Sequence, residues 1–350
     1  MASAGTAELA AMRRALDLAR TPGAPLGPNP RVGCVLLDAD GKTVAEGFHR
    51  GAGTPHAEVD ALRCAGDSAR GTTAVVTLEP CAHTGRTGPC TEALIEAGVA
   101  RVVYAQSDLN AVAAGGARAL EAAGIEVAGG VLAEEARLVN RALTFAVETG
   151  RPFITWKLAT TLDGRSAAAD GTSRWISSVA ARRDTQRLRG ECDAILVGTG
   201  TVLADNPQLT VRDELDKALP REQQPLRVVM GLRRLPPDRR VFDDAAETVV
   251  LETHDLTDAL QDLFKRDRQH VFLEGGPTLA AAFLTAGLVD EVVCYVAPAL
   301  LGSGTAAVAD LRVASMDDIT RLHLHDVTVV GVGVEANVRI TATPRAPEEP

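Results

Sequence analysis

His56-Ala57-Glu58, answered by Pro80-Cys81 and Pro89-Cys90, is the stretch around which the chain is organised. It supplies one imidazole, two thiols and a carboxylate two residues beyond the imidazole. Three ligands of this kind make an open site for tetrahedral Zn²⁺, whose fourth position is left to water. A neutral imidazole and two thiolates balance the charge of the ion. Glu58 then stands where a proton leaving that water can be shuttled.

The surrounding residues place these groups. Thr54 reads as an N-cap and Pro55 as a first helical residue, so a helix is expected from there through His56, Glu58, Ala61, Leu62 and Ala65. Residues 72–78 form a β-branched strand that ends at Glu79-Pro80-Cys81. A second helix opens at Gly88-Pro89-Cys90, and its dipole favours a thiolate at Cys90. The ligands thus fall at two helix starts and one strand end. H-x-E followed by P-C is the pattern of zinc deaminases acting on bases, where C-x-x-C completes it. Here Cys81 and Cys90 are nine apart. The long connection from Ala82 to Pro89 is therefore expected to set substrate selectivity. A closed structural zinc site is the competing reading; it needs a fourth ligand, and His83 is the nearby candidate.

Upstream, Leu9, Met12, Leu16 and Ala19 fall at helical spacing, and Thr21-Pro22-Gly23 stops that helix. Strands are expected over 32–37 and 43–48, joined at Asp40-Gly41. Asn29 lies in the approach to the first strand. It reads either as a turn former or as an amide able to touch a heterocycle. Downstream, a strand over 101–104, a helix over 112–123, a strand over 125–127 and a helix over 133–148 alternate as in an α/β layer fold.

Gly150-Arg151-Pro152 separates this from a second unit, giving domains 1–149 and 150–345. Residues 160–175 form a long polar loop, which marks function inside a compact domain. The helix over 179–189 carries Arg182, Arg183, Arg187 and Arg189, most of them on a solvated face. Residues 213–224 read as a loose charged insert. Glu274-Gly275-Gly276-Pro277-Thr278 follows a strand and opens a helix over 279–286, where backbone amides can approach an anion. No G-x-G-x-x-G fingerprint is present. Residues 342–350 read as a frayed tail.

Composition narrows the class. The chain has 350 residues, 46% of them hydrophobic and only 3% aromatic, so two cores must be built from Ala, Val and Leu. The first 150 residues carry 13 basic and 17 acidic side chains, the rest 23 and 29. Neither half has the cationic excess of a nucleic-acid binder, and stacking platforms are few. No nucleic-acid partner is expected. Residues 1–6 lack the basic start of a signal peptide, and no apolar run reaches membrane-spanning length. A cytoplasmic protein without membrane contact is expected. There the six cysteines serve metal or packing rather than disulfides; Cys34, Cys64, Cys192 and Cys294 read as core residues.

These residues together resemble the bifunctional riboflavin-biosynthesis family, a pyrimidine deaminase fused to a reductase. The resemblance spans nearly the whole chain. In the first half it rests on Asn29-Pro30-x-Val32-Gly33, on His56-Ala57-Glu58 and on the run from Pro80 to Cys90. In the second half it rests on Lys157-Leu158-Ala159, Leu162-Asp163-Gly164-Arg165, Ser173-x-Trp175-Ile176, the run from Gly200 to Arg212, and Glu274-Gly275-Gly276.

The resemblance implies an α/β protein with a cytidine-deaminase-like three-layer domain followed by a dihydrofolate-reductase-like domain. It implies that His56, Cys81 and Cys90 hold Zn²⁺, that Glu58 moves the proton and that Asn29 touches the pyrimidine. It further implies that Ser173, Arg189, Leu209, Arg212 and Glu274 contact a ribose-phosphate substrate. Arg189 and Arg212 would clamp the 5′-phosphate, while Lys157 and Asp163 lie beside the reducible ribose. Ala159, Trp175, Thr201, Asp205 and the run Gly276, Pro277, Thr278, Leu279, Ala280, Ala281 and Ala282 would contact NADPH. The substrate expected is a phosphorylated diaminopyrimidine riboside, deaminated and then reduced to a ribityl chain, in a homo-oligomer. Two positions depart from the family pattern: Asp108-Leu109-Asn110-Ala111 lacks two prolines, and Gly231-Leu232 stands where Asp-Ser is usual.

Other readings are a deaminase whose second domain only binds substrate or pairs subunits, an editing deaminase acting on RNA or DNA, and a structural zinc protein. NADPH oxidation by the second domain, salt-sensitive nucleic-acid binding and zinc coordination number separate them.

Overall fold

A computed structural model describes residues 4–21, 29–51, 53–83, 88–108 and 115–345. Residues 84–87 of the long connection and 109–111 of the departing loop lie outside this set. The chain forms two compact units, residues 1–150 and 151–350.

The first unit is a sheet between two helical layers. Its strands are β1 (Gly33–Leu37), β2 (Thr43–Phe48), β3 (Thr73–Leu78), β4 (Arg101–Gln106) and β5 (Glu126–Ala128), in the order β2-β1-β3-β4-β5. β1 pairs antiparallel with β2 and β3; β3, β4 and β5 run parallel. The helices are α1 (Thr6–Ala19), α2 (Ala57–Ala65), α3 (Cys90–Glu96), α4 (Gly116–Ala122), α5 (Ala133–Val139) and α6 (Arg141–Thr149). Successive strand residues face opposite sides. Leu36, Val76 and Val102 pack with Ala61, Leu94 and Leu120 on the face of α2, α3 and α4. Val35, Val75 and Val103 pack with Met12, Leu16 and Ala136 on the face of α1 and α5. Small residues let the layers approach: a Cβ on Gly47 would lie 2.4 Å from Ala61 N and 2.5 Å from Ala57 O. Only glycine allows α2 to sit this close to β2.

Three expectations are corrected here. Thr54 does not cap α2; its hydroxyl donates to Gly51 O at 2.7 Å, and His56 is the N-cap. Pro55 fixes an extended approach rather than a helical start, so the helix begins two residues later. The helix expected over 133–148 breaks at Asn140 into α5 and α6. Asn140 is buried and clamps the Arg31 backbone, accepting its N–H at 2.8 Å and donating to its carbonyl at 3.0 Å.

The second unit holds β6 (Phe153–Thr161), β7 (Arg165–Ala167), β8 (Ala194–Gly198), β9 (Leu226–Met230), β10 (Thr248–Leu251), β11 (His270–Leu273), β12 (Glu291–Ala297), β13 (Thr305–Ala306), β14 (Leu322–Val330) and β15 (Asn337–Pro344). Its helices are α7 (Val179–Arg189), α8 (Thr199–Asp205), α9 (Leu256–Lys265) and α10 (Pro277–Thr285). Eight strands form one sheet in the order β10-β9-β8-β11-β6-β12-β15-β14, and β13 pairs with β7. From β10 through β12 the pairing is parallel; β15 and β14 close the sheet antiparallel. One face packs on α9 and α10 through Leu260, Leu263, Ala280 and Phe283. The other buries Ile195, Val197, Val229 and Phe272.

The first part of the expected tail is instead strand, since β15 runs to Pro344, and residues 346–350 lie outside the described residues. The 213–224 segment is also tied down. Gln224 accepts from Val211 N at 2.7 Å and donates to Val211 O and Leu219 O. A charged surface reads as loose in sequence, but one amide side chain is enough to pin it. Among the described residues, no helix is long and apolar enough to cross a membrane.

Candidate metal centre and reductase site

In the first unit, α2 and α3 bring their N-termini to the carboxyl end of β3. His56 Nδ1, Cys81 Sγ and Cys90 Sγ all lie within 4.8 Å of one another. Nδ1 is 3.1 Å from Cys90 Sγ and 3.6 Å from Cys81 Sγ. Among the described residues these three atoms stand together without a fourth ligand, and His83 is not in the group. Two soft sulfurs and one imidazole suit Zn²⁺ with one open position. Thr91 fastens the arrangement by donating its N–H and hydroxyl to Cys81 O.

The sulfurs share a proton. Hydrogen bonds from Cys90, and then from His56, hold Cys81 as a thiolate, down to about 4, against the cost of burial. Cys90 is pushed up because it donates to Cys81 and lies buried near Glu58. The expected dipole effect thus reaches a different sulfur: the amide at the head of α3, Cys90 N, donates to Cys81 Sγ at 3.4 Å. Glu58 is only 3% exposed, and burial pushes its carboxyl up. A carboxyl so placed can hold a proton and release it.

Asn29 comes to this site through a residue that the sequence did not flag. Its Nδ2 donates to His49 Nε2 at 2.9 Å, and His49 Nδ1 donates to Pro55 O at 2.9 Å. Pro55 O can only accept, so Nδ1 carries the proton and Nε2 is left to accept from Asn29. The His49 ring meets the His56 ring edge-on at 5.3 Å. Glu79 is the second unflagged residue. Its carboxylate accepts from Asp108 N and Ala117 N, tying the end of β3 to the start of α4. Neither was marked by a local pattern, because His49 meets Asn29 from 20 positions away and Glu79 meets Asp108 and Ala117 from 29 and 38.

In the second unit, β8 and β11 are neighbours, but the chain leaves β8 toward β9 and returns to β11 on its other side. Such a switch point opens a crevice at the carboxyl ends of parallel strands. Thr199-Gly200-Thr201 follows β8 there and Glu274-Gly275-Gly276 follows β11. A Cβ on Gly276 would lie 3.8 Å from Thr201 Oγ1, so the two segments adjoin. Gly276 caps α10, with Pro277 at its first position. Thr278 and Ala282 are exposed on α10, whereas Ala280 and Ala281 are buried in contact with the sheet. Asp205 ends α8, and Ala159 lies on β6 beside Lys157. Trp175, half-buried Ser173 two residues before it, stands 68% exposed with the Arg182 guanidinium 4.3 Å from its ring centre.

Lys157, Arg189 and Glu274 converge. Arg189 Nε donates to Glu274 Oε1 at 2.5 Å, its Nη2 to Oε2 at 3.0 Å and its Nη1 to Thr210 O at 2.9 Å. All three nitrogens are engaged, so Arg189 is oriented by Glu274 and Thr210. Burial pushes the Lys157 ammonium down, with Arg189 adding to the effect and Glu274 opposing it. Leu209 is buried at a positive φ of 56°, which turns the chain toward Arg212. Asp163 is not brought to Lys157 by any contact of its carboxylate. It accepts from Thr161 Oγ1 at 2.6 Å and from the amides of Leu301 and Gly302.

Residues 6–106 match the profile of the cytidine and deoxycytidylate deaminase zinc-binding region, and residues 152–336 match that of the RibD C-terminal domain. The riboflavin biosynthesis protein RibD of Mycobacterium tuberculosis is 52% identical over 305 residues, covering 87% of this chain and 89% of that protein. The chain belongs to the RibD family. The Escherichia coli RibD is 45% identical and covers 86% of this chain and 90% of its own length. Acinetobacter baumannii RibD superposes with a TM-score of 0.88 at 40% identity, over 97% of this chain and 99% of that one. A Thermotoga maritima structure described as a diaminohydroxyphosphoribosylaminopyrimidine deaminase/5-amino-6-(5-phosphoribosylamino)uracil reductase gives 0.84 at 32% identity, over 97% and 99%. As a RibD, the chain is a bifunctional enzyme of riboflavin biosynthesis. A zinc deaminase of cytidine-deaminase type precedes an NADPH-dependent reductase of dihydrofolate-reductase type.

Proposed function

We propose that the two sites act in turn on one phosphorylated substrate, 2,5-diamino-6-ribosylamino-4(3H)-pyrimidinone 5′-phosphate. The first hydrolyses its amine and the second reduces its ribosyl chain to ribityl. The observation that carries this reading is the open three-ligand cluster of His56, Cys81 and Cys90 with buried Glu58 beside it. A zinc ion bound there supplies Lewis acidity that makes water a nucleophile near neutral pH. Glu58 takes the proton from that water on its carboxylate and delivers it to the departing ammonia. Asn29, its amide oriented by His49, reads the pyrimidine edge.

In the second unit NADPH supplies the hydride. The first turn of α10, capped by Gly276, would hold its phosphates through backbone N–H groups, with Thr201, Asp205 and Trp175 as further contacts. Lys157 holds a proton beside the ribose, with Glu274 and Arg189 fixing its surroundings; Ser173, Leu209 and Arg212 bind the substrate. Asp163 positions the 301–302 backbone at the ribose side.

The protein works in the cytoplasm, without nucleic acid or membrane, as a homo-oligomer. Oligomerisation is supported by β14, the outer strand of its sheet, where Leu322, Leu324, Val327 and Val329 are all exposed. An edge strand is self-complementary about a two-fold axis, so a second copy is the occupant. Light scattering on the intact protein reads the subunit number.

Zinc analysis paired with ammonia and NADPH assays on one preparation tests the reading. One zinc per chain and both activities are expected. A chelator should abolish ammonia release and spare NADPH oxidation on deaminated substrate; loss of both, or of neither, overturns the assignment.

A further inference from the structure

Gln208 holds two guanidinium groups on one neutral oxygen. Its Oε1 accepts from Arg212 Nη2 at 2.6 Å and from Arg240 Nη2 at 3.2 Å. The amide orientation is fixed from the other side, because Nε2 donates to Asp243 Oδ2 at 2.6 Å. A carboxylate accepts only, so the amide nitrogen must face Asp243 and its oxygen must face the arginines.

Asp243 does not neutralise them. Its charge is already taken by Arg227, fully buried in β9, whose Nη1 donates to Asp243 Oδ1 at 2.7 Å. Arg212 also reaches Asp216, but that carboxylate is 3.4 Å away and 85% exposed, an arrangement that contributes little. Among the described residues no carboxylate pairs with Arg240. Two like charges thus converge on a dipole that cannot cancel either. Arg240 is exposed, but Asp243, which orients Gln208, is itself fixed by Arg227 in the core.

We infer that Arg240 is a second phosphate-binding guanidinium, poised with Arg212 by Gln208 to take the substrate's terminal phosphate. The inference rests on the reading of Arg212 as a substrate residue. A dianionic phosphate supplies the missing charge, and two planar forks match its oxygens.

The test compares the reductase on its phosphorylated substrate and on the dephosphorylated riboside, in the full-length protein. For Arg240→Gln, kcat/KM on the phosphorylated substrate should fall roughly tenfold through KM, as expected of lost uniform binding, with the riboside unaffected. Arg240→Lys should recover part of the loss. Equal losses on both substrates, or none, overturn the role of Arg240. Arg212→Gln separates the two levels of the argument. If it lowers the preference for phosphate while Arg240→Gln does not, the inference fails and the substrate reading stands. If neither variant lowers the preference, the phosphate is bound elsewhere and both fail.

Discussion

Arg189 and Glu274 form a two-pronged ion pair between the end of α7 and the end of β11, with side chains only 14% and 13% exposed. Burial alone would raise the Glu274 carboxyl, but Arg189 and Lys157 hold it below the ordinary range. Its contribution to stability is therefore complete above the ordinary carboxyl value and fades as pH falls through the lowered folded value. Removing one partner strands a buried charge, which costs about 3–5 kcal/mol. Glu274→Gln should lower the denaturation midpoint of the second unit and weaken the reductase. An unchanged midpoint would mean that water, not Glu274, satisfies Arg189.

Glu58→Gln keeps the shape of the deaminase site and removes the proton carrier. Ammonia release should fall by roughly 10²–10⁴. Zinc content and reductase activity should stay at the parent level. Deamination at the parent rate would take Glu58 out of the mechanism.

Asp163 is held down to about 2, chiefly by the Thr161 hydroxyl and then by the Gly302 and Leu301 amides. Its ordinary value is 3.8. The folded carboxyl is depressed, so the tether is intact above that value and is lost as pH falls toward 2. Amide exchange at Leu301 and Gly302 should stay protected from neutral pH down to about 4 and accelerate as pH falls further toward 2. Asp163→Asn should show fast exchange at all pH values. Protection that survives at low pH would remove the carboxylate as the cause.

Gly47→Ala places a methyl against Ala61 N and Ala57 O. Backbone cannot yield as a side-chain tip can, so α2 must shift away from β2. The expected loss is about 1–3 kcal/mol. Since α2 carries His56 and Glu58, deaminase activity should fall further than reductase activity, measured on the same sample. Equal losses would point to general misfolding.

The cluster of His56, Cys81 and Cys90 was legible because each lies on a local signal: a helix start, a strand end, a proline before cysteine. The strands of the first unit were legible as β-branched runs bounded by turns, whereas their order in the sheet was not. Thr54 misled because capping preference ignores where an extended X-Pro segment delivers the chain. Asn140 was hidden inside a helical pattern, since its reason for breaking the helix is the backbone of Arg31, 109 positions away. His49 and Arg240 were missed for a related reason: Asn29 lies 20 positions from His49 and Gln208 lies 32 from Arg240. The pairing of Arg189 with Glu274 was not legible, because charge in a sequence does not say which counter-charge will be folded against it.

Arg227 sits fully buried in the middle of a strand, and its two terminal nitrogens are satisfied by Asp243 and by the carbonyls of Gln208, Arg240, Asp243 and Ala246. None of these acceptors belongs to the sheet. β9 cannot be enclosed ahead of them without leaving a bare cation in the interior, which is severely unfavourable. The order of assembly in the second unit is thereby constrained: the 240–246 turn and the segment around Gln208 must close over β9 as the sheet forms, not after it. A half-built sheet is penalised, and the reductase half is made to fold as a single cooperative event.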